Sequence, residues 1–367
     1  MLIRDFDVTP CTMRKEDPSW RFALAANPVS DGHVLRIATA DGVEGFGYAA
    51  ATAHMGSIRD TLKAELELFR PLVLGRESRD IESIMSALDR AVAGAPQAKA
   101  AVDCALHDLL ARSLGVPLNV LFGGKVRDSV PMLRILAIKT PQDMAAQAKK
   151  LVDAGYRYLK IKVHGHVDED VARVAAIRRQ VGDGVHLTID ANQSYAPKDA
   201  IIALGRMAEH HIDLVEQPVA ADDFEGLTLV TRTVPVTVEA DEAAGSLRAI
   251  FELAARRAVD AVSLKIPKLG GLRNTLAAAR LCEAAQVKYR LGAAVGSRLL
   301  AAQALHLACA LPGITYACEL AEFDRLLDDP FAGLDVEDGM LALPVGPGSG
   351  VRPVARERTT ELRETGT

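Results

Sequence analysis

Cysteine and aromatic residues are scarce in this chain: 367 residues hold five cysteines and one tryptophan, and aromatics make up 4%. The cysteines (Cys11, Cys104, Cys282, Cys309 and Cys318) are odd in number and far apart, which argues against a disulfide framework or a CxxC zinc site. Neither sign of charge dominates, and a net charge of −5 gives no electrostatic reason to expect nucleic acid or an anionic membrane as partner. The most apolar late stretch, Leu299 to Ile314, is broken by Gln303 and His306 and is too short to span a bilayer. The opening MLIRDFDV lacks the apolar core of a signal peptide. No GxSxG elbow supports serine hydrolysis, and no Gly-rich phosphate fingerprint follows an early strand. These absences lead to the expectation of a reducing, cytoplasmic protein.

What is present is ordinary in bulk, 49% hydrophobic and 25% charged, and too long for one compact core. Two domains, or a barrel with a second lobe, are expected. Residues 1–125 read as strands followed by helices, the signature of an α+β lobe. Val34–Ala38 and Phe46–Ala50 flank the hairpin signal Asp41-Gly42. Helical periodicity follows over Thr61–Leu72, Asp80–Val92 and Lys99–Leu114. From about residue 128 strands and helices alternate. Candidate strands are Val130–Ile138, Tyr158–Val163, His186–Asp190, Leu214–Glu216, Val236–Ala240, Ala261–Ile266, Tyr289–Gly292 and Thr315–Cys318. Amphipathic stretches between them, such as Pro141–Ala154 and Val167–Val181, favour a closed parallel barrel over an open doubly wound sheet. The Gly/Pro-rich Pro344–Pro353 and the polar tail after Val354 are expected to be loose.

Three acids sit near successive strand ends: Asp190, Glu216 and Asp241, spaced by 26 and 25 residues. That is about one strand–helix unit, so a parallel barrel brings them to one rim. Three converging carboxylates repel unless a divalent cation lies between them, which points to a hard-metal site such as Mg²⁺. Each acid alone could instead cap the next helix. Asp241 is preferred over Glu239, which shares its facing, because it lies nearer the rim.

Lysines flank this set. In YLKIKV, alternation places Lys160 and Lys162 on one face and Leu159, Ile161 and Val163 on the other. With the apolar face toward the outer helices the lysines point inward, and two adjacent ammonium groups depress each other's pKa, as a base requires. A solvated rim of snorkelling lysines is the alternative. Lys265 falls within the predicted sixth barrel strand, across the mouth from the second, while Lys268 falls in the loop before Gly270-Gly271. His164 and His166 are a poor match for a carboxylate-rich site and read as loop or pocket-edge residues.

The ordered set KIK, DAN, EQP, ADE and LKIPKLGG, together with AVDCALHDLLARSLGVPLNVLFGG (Ala101–Gly124), resembles the enolase superfamily and its muconate-lactonising-enzyme subgroup. The resemblance covers nearly the whole chain. It implies a modified (β/α)₇β TIM-type barrel over about 126–319, with an α+β N-terminal capping domain over 1–125 completed by a segment from about 320 to 367. It further implies Mg²⁺, with Mn²⁺ as a substitute, on Asp190, Glu216 and Asp241. Lys162 and Lys265 become the acid/base pair, and Lys160 the neighbour that tunes Lys162. The implied chemistry is proton abstraction α to a carboxylate through an enediolate, leading to racemisation or epimerisation of an amino acid derivative. Dehydration of a β-hydroxy carboxylate and cycloisomerisation share the same first step. A homo-oligomer is expected on the same ground.

Substrate selection departs from the resemblance. Relatives acting on dipeptides carry Asp-x-Asp after the last barrel strand, where this chain reads CELAEFD, leaving Glu319, Glu322 or Asp324 to meet a cationic amine. Where many relatives carry a glutamate at the end of the seventh strand, GAAVGSR offers Gly296. The segment CELAEFDRLLDDPF resembles members that act on proline derivatives. Substrate contacts are expected from Asn192 and from two lid segments, Arg14–Arg21 with Trp20 and Ala51–Ser57 with His54.

Overall fold

The structure, a computed structural model, describes residues 1–26 and 28–354. Three antiparallel strands open the chain: β1 (Ile3–Lys15), β2 (Val29–Thr39) and β3 (Glu44–Ala50). The β2–β3 turn uses Gly42 at φ 79°, a left-handed conformation that glycine adopts without a Cβ clash. Helices α1 (Arg59–Val73), α2 (Ile81–Ala91) and α3 (Pro96–Ser113) follow, and the first buries Leu62, Leu66, Phe69 and Val73 at helical spacing against the sheet. The hairpin and all three helices fall where the periodicity puts them. The 13-residue β1 carries no turn signal of its own and is revealed by its pairing with β2.

Helix α3 is buried on nearly every side because it is packed between lobe and barrel. Its Asp108 accepts hydrogen bonds from the backbone N–H of Phe46 at 3.1 Å and of Ser349 at 2.7 Å. One buried carboxylate thereby ties α3 and β3 of the lobe to the late chain.

The alternating region begins with β4 (Ser129–Pro131) and β5 (Leu133–Leu136), so the predicted strand Val130–Ile138 is divided. Then come α4 (Pro141–Asp153), β6 (Tyr158–Lys162), α5 (Val167–Val181), β7 (His186–Asp190), α6 (Pro197–Met207), β8 (Leu214–Glu216), α7 (Phe224–Thr233) and β9 (Thr237–Ala240). The series continues with α8 (Leu247–Arg256), β10 (Ala261–Lys265), α9 (Ile266–Leu269), α10 (Leu272–Ala285), β11 (Lys288–Gly292) and α11 (Arg298–Ala310). Strands β5 to β11 form one seven-stranded parallel sheet in chain order. The predicted strand Thr315–Cys318 is not a regular strand. Its segment instead makes single bridges to both sheet edges: Ile314 with Tyr289, Glu319 with Gly292, and Cys318 with Met132. The result is a barrel-like domain carrying the N-terminal lobe.

A late strand, β12 (Leu326–Leu327), pairs antiparallel with the end of β1, Leu326 opposite Lys15. No helix among the described residues is long and apolar enough to cross a membrane. The tail after Val354, expected to be loose, lies outside the described residues.

Candidate active site

Strand alternation and register assemble the site. On β6 the apolar Leu159 and Ile161 join the core, and Lys160 and Lys162 take the opposite facing. Parallel pairing sets Lys162 beside Asp190, Asp190 beside Glu216, and Glu216 beside Glu239, four charged residues on one rung. Asp241 lies just beyond β9, and Lys265 closes β10. All of these side chains are buried.

The lysines and acids interlock. Lys162 Nζ donates to Asp190 Oδ2 at 2.6 Å and to Asn192 Oδ1 at 2.8 Å. Lys160 Nζ lies 2.7 Å from Glu216 Oε2 and 2.9 Å from Asp190 Oδ2, and it also bonds Glu319. Across the mouth, Lys265 Nζ is 2.5 Å from Asp241 Oδ2 and 3.6 Å from Glu216 Oε1. Gly292 leaves room for it, since a Cβ there would sit 3.0 Å from the Lys265 side chain.

Lys268 is not a loop lysine. The single turn α9, with Pro267 in its first positions, folds it back so that Nζ meets Asp241 Oδ1 at 2.7 Å and the Ser263 carbonyl at 2.9 Å. Sequence reading also passed over Arg290, fully buried on β11. Its Nε donates to both Glu239 oxygens at 3.0 Å, and its Nη2 bonds Glu216. Alternation in KYRLG, with Tyr289 and Leu291 facing the helices, was the signal that could have found it.

Charge pairing overrides the expected mutual depression of the lysines. Burial would lower the Lys160 ammonium, but Asp190, Glu216 and Glu319 outweigh it and hold its pKa well above the ordinary value. Lys265 is likewise raised against its burial, by Asp241 and Glu216. Asp241 is held below the usual carboxylate range because Lys265 and Lys268 outweigh its burial. Glu216 goes the other way, pushed up to about 8 by burial and by the charge of Asp190.

Asp190, Glu216 and Asp241 fit a hard divalent cation by donor type and by their place at three successive strand ends. Glu216 Oε1 is buried and makes no hydrogen bond, an orphan acceptor beside the cavity. As the side chains stand, Asp190, Glu216 and Glu319 converge on the Lys160 ammonium. No three His, Cys, Asp or Glu side chains among the described residues are spaced, as they stand, to hold a metal ion. The fit therefore rests on donor chemistry, strand-end placement and the orphan oxygen, with lysine ammonium groups standing in for the cation's charge.

A cavity of about 530 Å³ opens above this set. From the barrel it is lined by Ile135, Lys162, Asn192, Asp241, Lys265, Ala294, Val295 and Glu319, and from the lobe by Trp20, Phe22 and His54 among others. Phe22 joins the two lid segments, its ring 5.6 Å from Trp20 and edge-on 5.1 Å from His54. Burial and the nearby Lys265 charge push His54 down to about 4, so it is a neutral imidazole at neutral pH.

Asp324 is a correction: it is not in the cavity wall but on a short 3₁₀ turn, 3.5 Å from Arg134. Glu322 is buried beside Arg134 and also lies outside the wall. His164 and His166 are in edge contact at 4.8 Å, and His164 faces Asp170 rather than the cavity. β11 ends at Gly292 rather than at Gly296, and no acid stands where the glutamate was sought.

Known proteins share this architecture. Residues 143–357 match the family described as "Enolase C-terminal domain-like", and residues 12–123 match "Mandelate racemase / muconate lactonizing enzyme, N-terminal domain". A hydrophobic dipeptide epimerase of Enterococcus faecalis is 35% identical over 302 residues, 82% of this chain and 85% of that protein. A chloromuconate cycloisomerase of Cupriavidus necator is also 35% identical, over 329 residues, 87% of this chain and 88% of that protein. The crystal structure of the Enterococcus faecalis V583 dipeptide epimerase, complexed with Mg and L-Leu-L-Tyr, superposes with a TM-score of 0.92 at 33% identity, covering 96% of this chain and 99% of that one.

Proposed function

The chain belongs to the mandelate racemase/muconate lactonizing enzyme family of the enolase superfamily, and from that premise we propose that it racemises or epimerises an amino acid derivative by moving the proton α to its carboxylate. Epimerases and cycloisomerases, both isomerases, stand among its relatives, and the chain is an isomerase of this superfamily. The observation that carries the reading is that Lys162 and Lys265 line one cavity from strands separated by three others in the sheet.

An α-carbon held between them meets one amine on each face. The neutral lysine takes the proton, and the protonated one delivers a proton to the opposite face. Losing the α-proton leaves a dianionic enediolate, which is why such hydrogens are barely acidic. Asp190, Glu216 and Asp241 would hold a divalent cation such as Mg²⁺, which would supply positive charge where the negative charge develops. Asn192 accepts from Lys162 and orients its ammonium, and Lys160 neutralises the inner carboxylates. Trp20, Phe22 and His54 close the site against water from the lobe side.

A second reading, cycloisomerisation, draws on the equal identity to a chloromuconate cycloisomerase and uses the same lysines and acids. The test is α-hydrogen exchange in heavy water across N-substituted amino acids, dipeptides and proline derivatives, with Mg²⁺ or Mn²⁺ supplied. Exchange with inversion supports the proposal, and ring closure of a muconate without exchange of any amino acid derivative supports the second reading. Loss of water seen by mass spectrometry would instead make the enzyme a dehydratase.

A further inference from the structure

A second cavity, of about 360 Å³, opens at the opposite end of the barrel, where the strands begin. Leu133, Tyr158 and His186 each start a strand of the sheet and line it, and residues 314–317 close one side. It shares no lining residue with the upper cavity.

The two sides of this lower mouth differ in character. On the β6–β7 side the Tyr158 and His186 rings lie flat against each other, centroids 4.5 Å apart and planes 7° apart, with the apolar Leu133 beside them. Across the barrel, Arg290 spans the floor between the two cavities. Its Nε and Nη2 hold Glu239 and Glu216, and none of these bonds uses Nη1. The side chain is only 2% exposed, so the free nitrogen is a buried donor whose outlet is this cavity.

Charge in the wall runs the same way. Arg127 spends its guanidinium on the backbone carbonyls of Ala308, Leu311 and Pro312 and makes no ion pair among the described residues. The carboxylate in the wall, Asp213, is engaged: its Oδ2 accepts the Leu187 N–H at 2.9 Å, and its Oδ1 lies 3.3 Å from His186 Nδ1. Two guanidinium groups face one committed acid, which favours an anion. One free nitrogen suits a single charge. The flat apolar side suits a ligand with a body rather than a bare inorganic ion.

We propose that the lower mouth is a second ligand site, taking a monocarboxylate with a flat apolar body. The carboxylate sits on Arg290 Nη1, and the body lies against the Tyr158–His186 pair and Leu133. The site stands apart from the α-proton reading of the upper cavity.

The test is an NMR titration of the full chain carrying isotope-labelled histidine, with the His186 ring signal, assigned by His186→Gln, as the reporter at the lower mouth. The probes are benzoate and benzamide, which share a shape and differ in charge. Benzoate should saturate the His186 shift with a Kd of about 1 mM or below. Benzamide should bind about 10-fold or more weakly, the worth of a charge-assisted contact. Thr315→Trp fills the mouth from an exposed position and should weaken benzoate by at least about 10-fold. Arg290→Lys keeps the charge but withdraws Nη1, and should cut the preference for benzoate to about 3-fold or less. Equal binding of the two probes, no benzoate-dependent shift of His186, or a preference that survives Thr315→Trp overturns the site and leaves the cavity to water. If Arg290→Lys does not fold, Thr315→Trp and the native comparison decide alone.

Discussion

Arg290 grips Glu239 at the floor of the barrel, its Nε 3.0 Å from each carboxylate oxygen, with both side chains fully buried. The same guanidinium reaches Glu216, so one cation neutralises two carboxylates beneath the cavity. Replacing it strands Glu239 and leaves Glu216 to Lys160 alone. Arg290→Met should cost about 3–5 kcal/mol, the usual penalty for breaking a buried charge pair. Thermal melting checks the loss. A change near zero would mean that the floor tolerates an unpaired Glu239.

In the proposed mechanism the two cavity lysines act on opposite faces. Lys162→Ala and Lys265→Ala should each lower racemisation by about 10²–10⁴-fold, the range for a positioned acid or base. Each variant should also retain exchange with only one enantiomer. Proton NMR in heavy water, run separately on each enantiomer, reads this directly. Loss of both exchanges in both variants would argue against a two-face division of labour.

Metal dependence follows from the donor set. Asp241→Asn removes a charge from the carboxylate that now faces Lys265 and Lys268. It should weaken Mg²⁺ binding by at least about 10-fold, as measured by calorimetry without substrate. Exhaustive chelation should abolish turnover, and added Mg²⁺ or Mn²⁺ should restore it. Undiminished activity after chelation would remove the cation from the account.

Acid lability is expected from His306, far from the cavity. Burial pushes its imidazole down to about 4, and its Nδ1 accepts the backbone N–H of Asn119 at 3.3 Å. The unfolded chain protonates this group near pH 6.5, whereas the folded chain resists until about 4. Between those values the unfolded state binds the extra proton, so stability falls as pH falls, by about 3 kcal/mol in full. Below about 4 the loss is complete. Denaturant midpoints from pH 7 to 4 should show this slope, and His306→Gln should flatten it. An unchanged slope in that variant assigns the lability to other groups.

The parts of this fold that repeat were legible in the sequence. Strands such as His186–Asp190 and helices such as Val167–Val181 begin and end where period and turn residues place them. The acids and lysines at strand ends were legible for the same reason, since one alternation rule orients each of them. Contacts made across the fold were not. Asp324 shares its segment with Glu319, yet a 3₁₀ turn at Ala321–Arg325 carries it to Arg134. The turn at Pro267 that returns Lys268 to Asp241 has no period to announce it, because four residues make one turn only.

Pairing of Leu326–Leu327 with the last residues of β1 fastens the late chain to the first strand, beside the segment that carries Trp20. The two lobes are therefore not portable modules. A fragment ending before residue 326 would remove the partner strand from the end of β1 at Arg14, while the Lys15 N–H stays bonded to Pro28, and would leave that edge open to pairing with a neighbouring molecule. Swapping the lobe alone onto a related barrel would carry over the lid without the stitch that keeps it in place.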